Sequence, residues 1–524
     1  MHTFDVLNIA AAIVPDRPAL ITDEKEHSFS ELAEKVNRLA NALSKSGVAR
    51  GDRVCVVDVN TPAHVLTFFA ASKLDAIYVP LNFRGHREEL AYPLRHSAPK
   101  VIVAGPRYVP LIEEYGDEFS STLRITTSAM NDHTSQWVDI DELINSADHQ
   151  EYIFPIDSPE ETAVLLFTAG TTGNPKAVML KHSSFTSFLL TSMEPPDPEV
   201  SEKTLLTLPL YHVAGLQAVL AGIYGGRTIV MQRQFEPGEW MQLVEQHGIE
   251  RALIVPTMLK QIIDHPEFST RELSSLKVLT YGGSSMPPTL IRRAVPLMPQ
   301  VQFINAFGQT ETGSTITMVP PEDHILEGPD EIVASRIKHL SSIGKPLPDV
   351  EVRVVDENGQ FVSYGVSGEI IAKSPRLMTG YWKQPAETDQ ALHDGWLYTG
   401  DLGYQDSDGY IYLEGRAKDF IKRGGEMVSP EEVEHVLQEV PGIEDCAVIG
   451  LPDETWGERV VAVVVTGSGY LNVTEDLILD HCQSLARFKR PEQVIFMSEL
   501  PRNSLGKVLK KNLRTELSKI DGTN

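Results

Sequence analysis

Between Thr168 and Lys176 the chain reads T-A-G-T-T-G-N-P-K. Glycine lets backbone amides crowd an anion, threonine hydroxyls donate hydrogen bonds and lysine adds a positive charge, so the chemistry on offer is phosphate handling. The same residue types also make an ordinary polar turn. A Walker A loop does not fit, because G-x-x-x-x-G-K-[ST] is required and Lys176 follows Pro175 and precedes Ala177. Two further clusters, Y-G-G-S-S from Tyr281 and N-A-F-G-Q-T-E-T-G from Asn305, place glycine beside hydroxyls and a carboxylate, a combination that suits a nucleotide with a metal ion. Asp401 in G-W-L-Y-T-G-D could accept from ribose hydroxyls or end a strand, and Lys507 follows a glycine in P-R-N-S-L-G-K. Each alone is weak; together they span most of the chain.

His212 sits among apolar residues in L-P-L-Y-H-V-A-G, where a satisfied core histidine is the usual explanation. The small residues Ala214, Gly215, Ala218, Ala221 and Gly222 leave room for a pocket or allow tight helix packing. No carboxylate lies between Leu205 and Tyr224 to hold a substrate amine.

The elements that must position these residues alternate. Apolar runs flank the Thr168–Lys176 loop, which therefore joins two strands. Residues 30–43 read as an amphipathic helix capped by Ser30, V-C-V-V-D-V after Asp52 as a buried strand, Pro62 to Leu74 as helix, and Ala76 to Pro80 and Lys100 to Ala104 as strands. Ser183 is placed to cap another helix. This is a layered α/β domain with a largely parallel sheet. Short alternating runs over 343–414 predict a small β-rich subdomain, and S-P-E-E from Ser429 opens a helix with Ser429 as N-cap, Pro430 in the first turn and Glu432 completing a capping box. The division expected is a large unit over 1–415, a charged, glycine-rich linker over 416–426 and a smaller α+β unit over 427–524.

At 524 residues more than one domain is expected. No run approaches the roughly 18 apolar residues of a membrane span, the N-terminus lacks the basic start of a signal peptide, and Cys55, Cys446 and Cys482 form no C-x-x-C pair, all of which point to a reducing cytoplasm. A net charge of −26 argues against nucleic acid as partner. Against that background Arg487, Lys489, Arg490, Arg502, Lys507, Lys510, Lys511 and Arg514 make a basic tail, either a solvated face or an attractor for a phosphorylated substrate.

Taken in order, T-A-G-T-T-G-N-P-K, Y-G-G-S-S, N-A-F-G-Q-T-E-T, Y-T-G-D, G-R-A-K-D-F-I-K-R-G-G-E and P-R-N-S-L-G-K resemble the motifs of the adenylate-forming superfamily: acyl-CoA synthetases, adenylation domains and luciferases. Ala169 departs from the serine usual there, but its backbone amide remains. The resemblance implies that Thr168, Thr171, Thr172 and Lys176 hold the β- and γ-phosphates of ATP, that Thr310 binds the α-phosphate and that Glu311 ligates Mg²⁺. It implies that Gly283, Ser284, Asn305, Ala306 and Phe307 surround adenine, that Asp401 and Arg416 fix the ribose, and that Lys507 bridges the carboxylate and the α-phosphate. Lys418 matches a hinge about which the small domain rotates, presenting Gly424 and Gly425 to the pantetheine of CoA, with Lys422, Arg423 and Arg487 near its phosphates.

By the same resemblance the acyl pocket comprises His212, Val213, Ala214, Gly215, Thr257, Tyr281 and Gly282, small or apolar here, with His212 gating the acyl and thiol channels. The expected reaction is AMP-forming ligation of a carboxylic acid to CoA, on a medium- or long-chain fatty acid first and an aromatic or alicyclic acid second. An amino-acid adenylation domain fits less well without an amine-binding aspartate or an attached carrier domain; a free carrier protein as acceptor, a luciferase-like enzyme and a non-catalytic acyl-adenylate sensor are the other readings. A homo-oligomer stays open.

Overall fold

The computed structural model describes the chain except residues 23–24, 86, 130–135, 152, 157, 169–174, 417, 424–425, 454, 468–472, 504–505 and 522–524, and the side chains of 519–521. Thr171, Thr172, Gly424 and Gly425 therefore lie outside the described residues.

Two large sheets share one core. In the eight-stranded sheet, β1 (Thr162–Thr168) and β2 (Lys176–Lys181) are antiparallel neighbours, with Thr168 paired to Lys176, and β1 continues into the parallel strands Ile77–Pro80, Arg53–Val57, Val101–Ala104, Leu123–Thr126 and Val138–Asp139. Helix α1 (Val213–Tyr224) packs on the second sheet, as does α2 (Pro256–Asp264). That sheet has nine strands, and its centre runs parallel through β3 (Val278–Gly282) to β4 (Gln302–Gln309) before turning antiparallel into β5 (Ser314–Val319). Between the sheets, helices Thr3–Ile13, Phe29–Lys45, Pro62–Lys73 and His182–Ser192 join α1 in burying a continuous apolar layer that includes Leu20, Val54, Phe69, Val164 and Leu220. Separate cores cover the outer faces. This is the layered α/β arrangement expected, in which ligands bind at the carboxyl ends of parallel strands such as β3.

The short strand β6 (Gly380–Tyr381) edges the first sheet alongside β2. A five-stranded antiparallel sheet over 351–416 contains β7 (Trp396–Gln405) and β8 (Ile411–Arg416), which pair Asp401 with Arg416. The next strands, Ile421–Arg423 and Glu426–Val428, already belong to the last sheet, so part of the glycine-rich segment after Arg416 is strand. That sheet carries α3 (Pro430–Gln438), strand β9 (Ile443–Asp453) and the final helix α4 (Lys510–Asp521). No helix among the described residues is long and apolar enough to cross a membrane.

Local caps refine three expectations. The helix expected from Ser30 is capped by Ser28, whose hydroxyl accepts from the Glu31 amide at 3.2 Å while Glu31 accepts from the Ser28 amide at 2.9 Å; Ser30 falls inside the first turn. The helix assigned to Ser183 begins at His182, where Ser184 accepts from the Lys181 amide at 3.1 Å. Ser429 does cap α3, accepting from the Glu432 amide, but the Glu432 carboxylate turns to Lys489 at 2.7 Å instead of closing the box.

Candidate active site

Lys176 opens β2, and its ammonium stands 4.5 Å over the ring of Tyr381 on β6. The Tyr381 hydroxyl donates to Glu311 Oε1 at 3.1 Å, so the lysine of the first motif and the carboxylate of the third share one tyrosine. Glu311 lies in the single 3₁₀ turn Thr310–Thr312 between β4 and β5. Nothing in L-M-T-G-Y marked Tyr381 beforehand; its partners are far away in sequence.

β3 and β4 meet with Gly282 opposite Ala306. A Cβ at Gly282 would stand 2.2 Å from the Ala306 carbonyl oxygen, so only glycine permits this register. Gly283 and Ser284 then turn off the strand end, and Asn305, Ala306, Phe307 and Thr310 are half-buried along the edge they face. Tyr281 precedes Gly282 on β3. Its ring is fully buried and its hydroxyl meets His324 Nε2 at 2.9 Å. His324 Nδ1 lies 2.9 Å from the Pro320 carbonyl, which can only accept, so Nδ1 carries the proton and Nε2 accepts from the tyrosine. Burial holds this imidazole down at about 4 despite the Pro320 carbonyl, Asp323 and Glu322.

Asp401 is buried on β7. Arg416 Nε lies 2.5 Å from its Oδ1, and Gln309 Nε2 donates to its Oδ2 at 2.6 Å. Burial raises the Asp401 carboxyl, with Arg416, Lys507 and Gln309 opposing. Gln309 also escaped notice in sequence, although it stands one residue before Thr310 and ties β4 to β7.

Lys507 comes to the same cleft. Its side chain reaches solvent, yet enough protein surrounds it that desolvation, reinforced by Arg416, lowers its pKa, while Asp401, Asp419 and Glu431 oppose. The turn that presents it is closed by Asn503, whose side chain accepts from the Lys507 amide at 2.9 Å. Gly506 has φ +75°, and a Cβ there would lie 2.5 Å from Thr257 Oγ1 on α2. The lysine loop is thus seated on the large unit, and Lys260 of α2 reaches across to Glu444 of β9 at 2.9 Å.

His212 is the N-cap of α1, its ring 4.2 Å from that of Tyr211, and burial with Arg84 nearby pushes it down to about 3, so it is neutral. Val213 and Ala214 follow, half-buried. Gly215 is closely packed: a Cβ there would meet the Pro209 carbonyl oxygen at 2.4 Å. Gln217, overlooked in sequence, is the one amide on this apolar helix; it is buried and neither its Oε1 nor its Nε2 has a partner among the described residues. One turn beyond Val213, it shares that residue's face, and helical side chains lean toward the N-terminus, here toward His212.

The basic tail is largely internally paired. Lys489 meets Glu432, Arg502 meets Asp445 at 2.5 Å, Lys510 meets Glu434 at 2.8 Å and Arg514 meets Asp419 at 3.1 Å. Arg423 pairs with Glu492 and donates to the Phe488 carbonyl at 3.0 Å, so it is committed within its own unit, whereas Lys422, Arg487 and Lys418 are exposed.

Residues 7–382 match the family model of AMP-binding enzymes, and residues 432–507 match the AMP-binding enzyme C-terminal domain. The chain belongs to the AMP-binding enzyme family. It is an acid–thiol ligase of the acyl-CoA synthetase type within the adenylate-forming superfamily. The ligase is 33% identical to the indoleacetate–CoA ligase of Aromatoleum aromaticum over 96% of each chain. It is 31% identical to the long-chain-fatty-acid–CoA ligase FadD13 of Mycobacterium tuberculosis, covering 94% of this chain and 93% of that one. The ATP-bound structure of MatB from Rhodopseudomonas palustris superposes with a TM-score of 0.86 at 27% identity, over 99% of the ligase and 100% of MatB.

Proposed function

We propose that the ligase joins a carboxylic acid to CoA through an acyl-adenylate, on a medium- or long-chain fatty acid. The observation that carries this is the docking of Gly506 on Thr257, which delivers Lys507 to the cleft of Asp401 and Arg416. An acid carboxylate oxygen attacks the α-phosphorus of ATP, the bond to the β-phosphate breaks and pyrophosphate leaves. The CoA thiolate then attacks the acyl carbon and AMP leaves. The first step concentrates negative charge that only donors and cations already in place can stabilise. Lys507 would bridge carboxylate and α-phosphate, Thr310 would hold the α-phosphate, and Thr168, Thr171, Thr172 and Lys176 would hold the outer phosphates. Gly283, Ser284, Asn305, Ala306 and Phe307 would enclose adenine while Asp401 and Arg416 orient the ribose.

Mg²⁺ takes oxygen ligands, and the Glu311 carboxylate, steadied through one oxygen by Tyr381, is a fitting donor. Held there, the ion would offset phosphate charge. After adenylation the C-terminal unit would turn about Lys418 and withdraw Lys507, bringing Gly424 and Gly425 toward CoA, with exposed Lys422 and Arg487 as the cations left to meet its phosphates.

Apolar Val213 and Ala214 support a hydrophobic acid. A second reading, an aromatic acid with a hydrogen-bonding substituent, is favoured by the buried and unpaired amide of Gln217. The test is AMP formation across fatty, aryl and amino acids, with and without CoA. Fatty acids turned over in a CoA-dependent reaction support the first reading and hydroxylated or indolic acids the second; pyrophosphate release without CoA turnover moves the acceptor to a carrier protein, and inactivity with every acid overturns the proposal.

A further inference from the structure

Glu431, Glu434, His435 and Gln438 recur on α3 at the spacing of one helical face. Such a polar stripe ordinarily faces solvent, but here it lines a crevice closed from the large unit by Ser285, Met286 and Pro287. Its acidic end grips Lys510, the first residue of α4. Lys510 Nζ lies 2.8 Å from Glu434 Oε1 and 3.6 Å from Glu431 Oε1, with the lysine side chain only 12% exposed. Glu434 Oε1 also accepts from the Val448 amide of β9 at 2.7 Å. Glu431 Oε2 is buried against Gly415, where a Cβ would come within 2.1 Å, and Gly415 immediately precedes Arg416. One ammonium thus joins the start of α4 to α3, and through the two carboxylates to β9 and to the strand that carries Arg416.

Lys507 stands three residues upstream, before the helix begins, on the loop whose other side rests on Thr257 through Gly506. The loop is held at one side by this docking and, beyond the pairing of Arg502 with Val508, at the other by Lys510. We propose that Lys510 is a positioning residue for Lys507, fixing the register of the lysine loop against Asp401 and Arg416 by its buried pairing with Glu434 and Glu431. Burial pushes the Glu434 carboxyl up, and the Lys510 ammonium opposes that rise. Removing one partner of such a pair strands the other charge, whereas removing both does not.

The inference rests on the reading that Lys507 acts in adenylation. The experiment measures two half-reactions in full-length protein: acid-dependent ATP–pyrophosphate exchange, and thioester formation from supplied acyl-adenylate and CoA. Lys510→Met should lower the kcat of exchange about a hundred-fold, the cost of misplacing a reacting group by about an ångström, with the KM for ATP and the thioester step each changed less than about three-fold. Lys510→Arg should restore most of the exchange. The double variant Lys510→Met/Glu434→Leu removes the nearer, more deeply buried carboxylate together with its ammonium, leaves only the more exposed Glu431, and should fold yet remain deficient in exchange; it decides the matter where the single variant does not fold. Exchange near wild type in Lys510→Met or in the double variant, or equal loss of both half-reactions, overturns the proposal. Lys507→Ala run alongside separates the two ideas: if it keeps exchange, the reading of Lys507 fails, and if it loses exchange while Lys510→Met does not, only the positioning role fails.

Discussion

The Lys176 ammonium lies 4.5 Å above the ring of Tyr381, and the hydroxyl of that tyrosine donates to Glu311. Tyr381 thereby links the cation proposed for phosphate to the carboxylate proposed for metal, although 205 residues separate it from Lys176. Tyr381→Phe keeps the ring beneath the lysine and removes only the hydrogen bond to the carboxylate. Hydrogen bonds to charged groups contribute about 1.5–3 kcal/mol, so exchange should fall roughly 10- to 100-fold with little change in melting temperature. Adding excess Mg²⁺ should recover part of that loss; wild-type exchange in Tyr381→Phe would show that Glu311 needs no such support.

Gln217 offers a test of substrate class. With both amide atoms buried and unpaired among the described residues, each unmade bond costs about 1–3 kcal/mol, so Gln217→Leu should raise the melting temperature of the free protein. If the amide meets a polar group on the acid, the same variant should lose at least about ten-fold in kcat/KM for hydroxylated or indolic acids and keep its rate on plain fatty acids. An unchanged ratio between the two acid classes would remove Gln217 from substrate selection.

His324 sets a pH signature. Its folded pKa of about 4 lies below the ordinary value of 6.5, so its contribution to stability is intact above pH 6.5 and is lost as pH falls from 6.5 through 4. That gap corresponds to about 3 kcal/mol. His324→Gln, which cannot titrate, should show a shallower acid loss of stability across that window by calorimetry. Parallel curves for the two proteins would mean that His324 is not buried in its neutral form.

The sequence made the layered α/β class legible because strands such as Arg53–Val57 and helices such as Pro62–Lys73 declare themselves by local apolar pattern. The motifs at β3 and β4 were legible for a related reason: glycine, hydroxyl and carboxylate cluster within a few residues at strand ends. What stayed hidden depended on contacts distant in sequence. Tyr381, Gln309 and His324 acquire their roles only when β6, β7 and the 3₁₀ turn Pro321–His324 fold against β3 and β4. The basic tail read as a surplus because its acidic partners Glu432, Glu434, Asp445 and Asp419 lie 57 to 95 residues away, or 76 for Lys510 and Glu434 (510 less 434). An aromatic next to two glycines, as Tyr281 is, suits a pocket wall and a core strand equally well, so its bond to His324 was not legible either.

The most direct test of the account is Lys507→Ala assayed in the two half-reactions separately. The account predicts that acid-dependent pyrophosphate exchange falls by at least about a hundred-fold, as for a cation acting on developing phosphate charge, while thioester formation from supplied acyl-adenylate persists. Exchange preserved in Lys507→Ala, or both steps lost together, would contradict it.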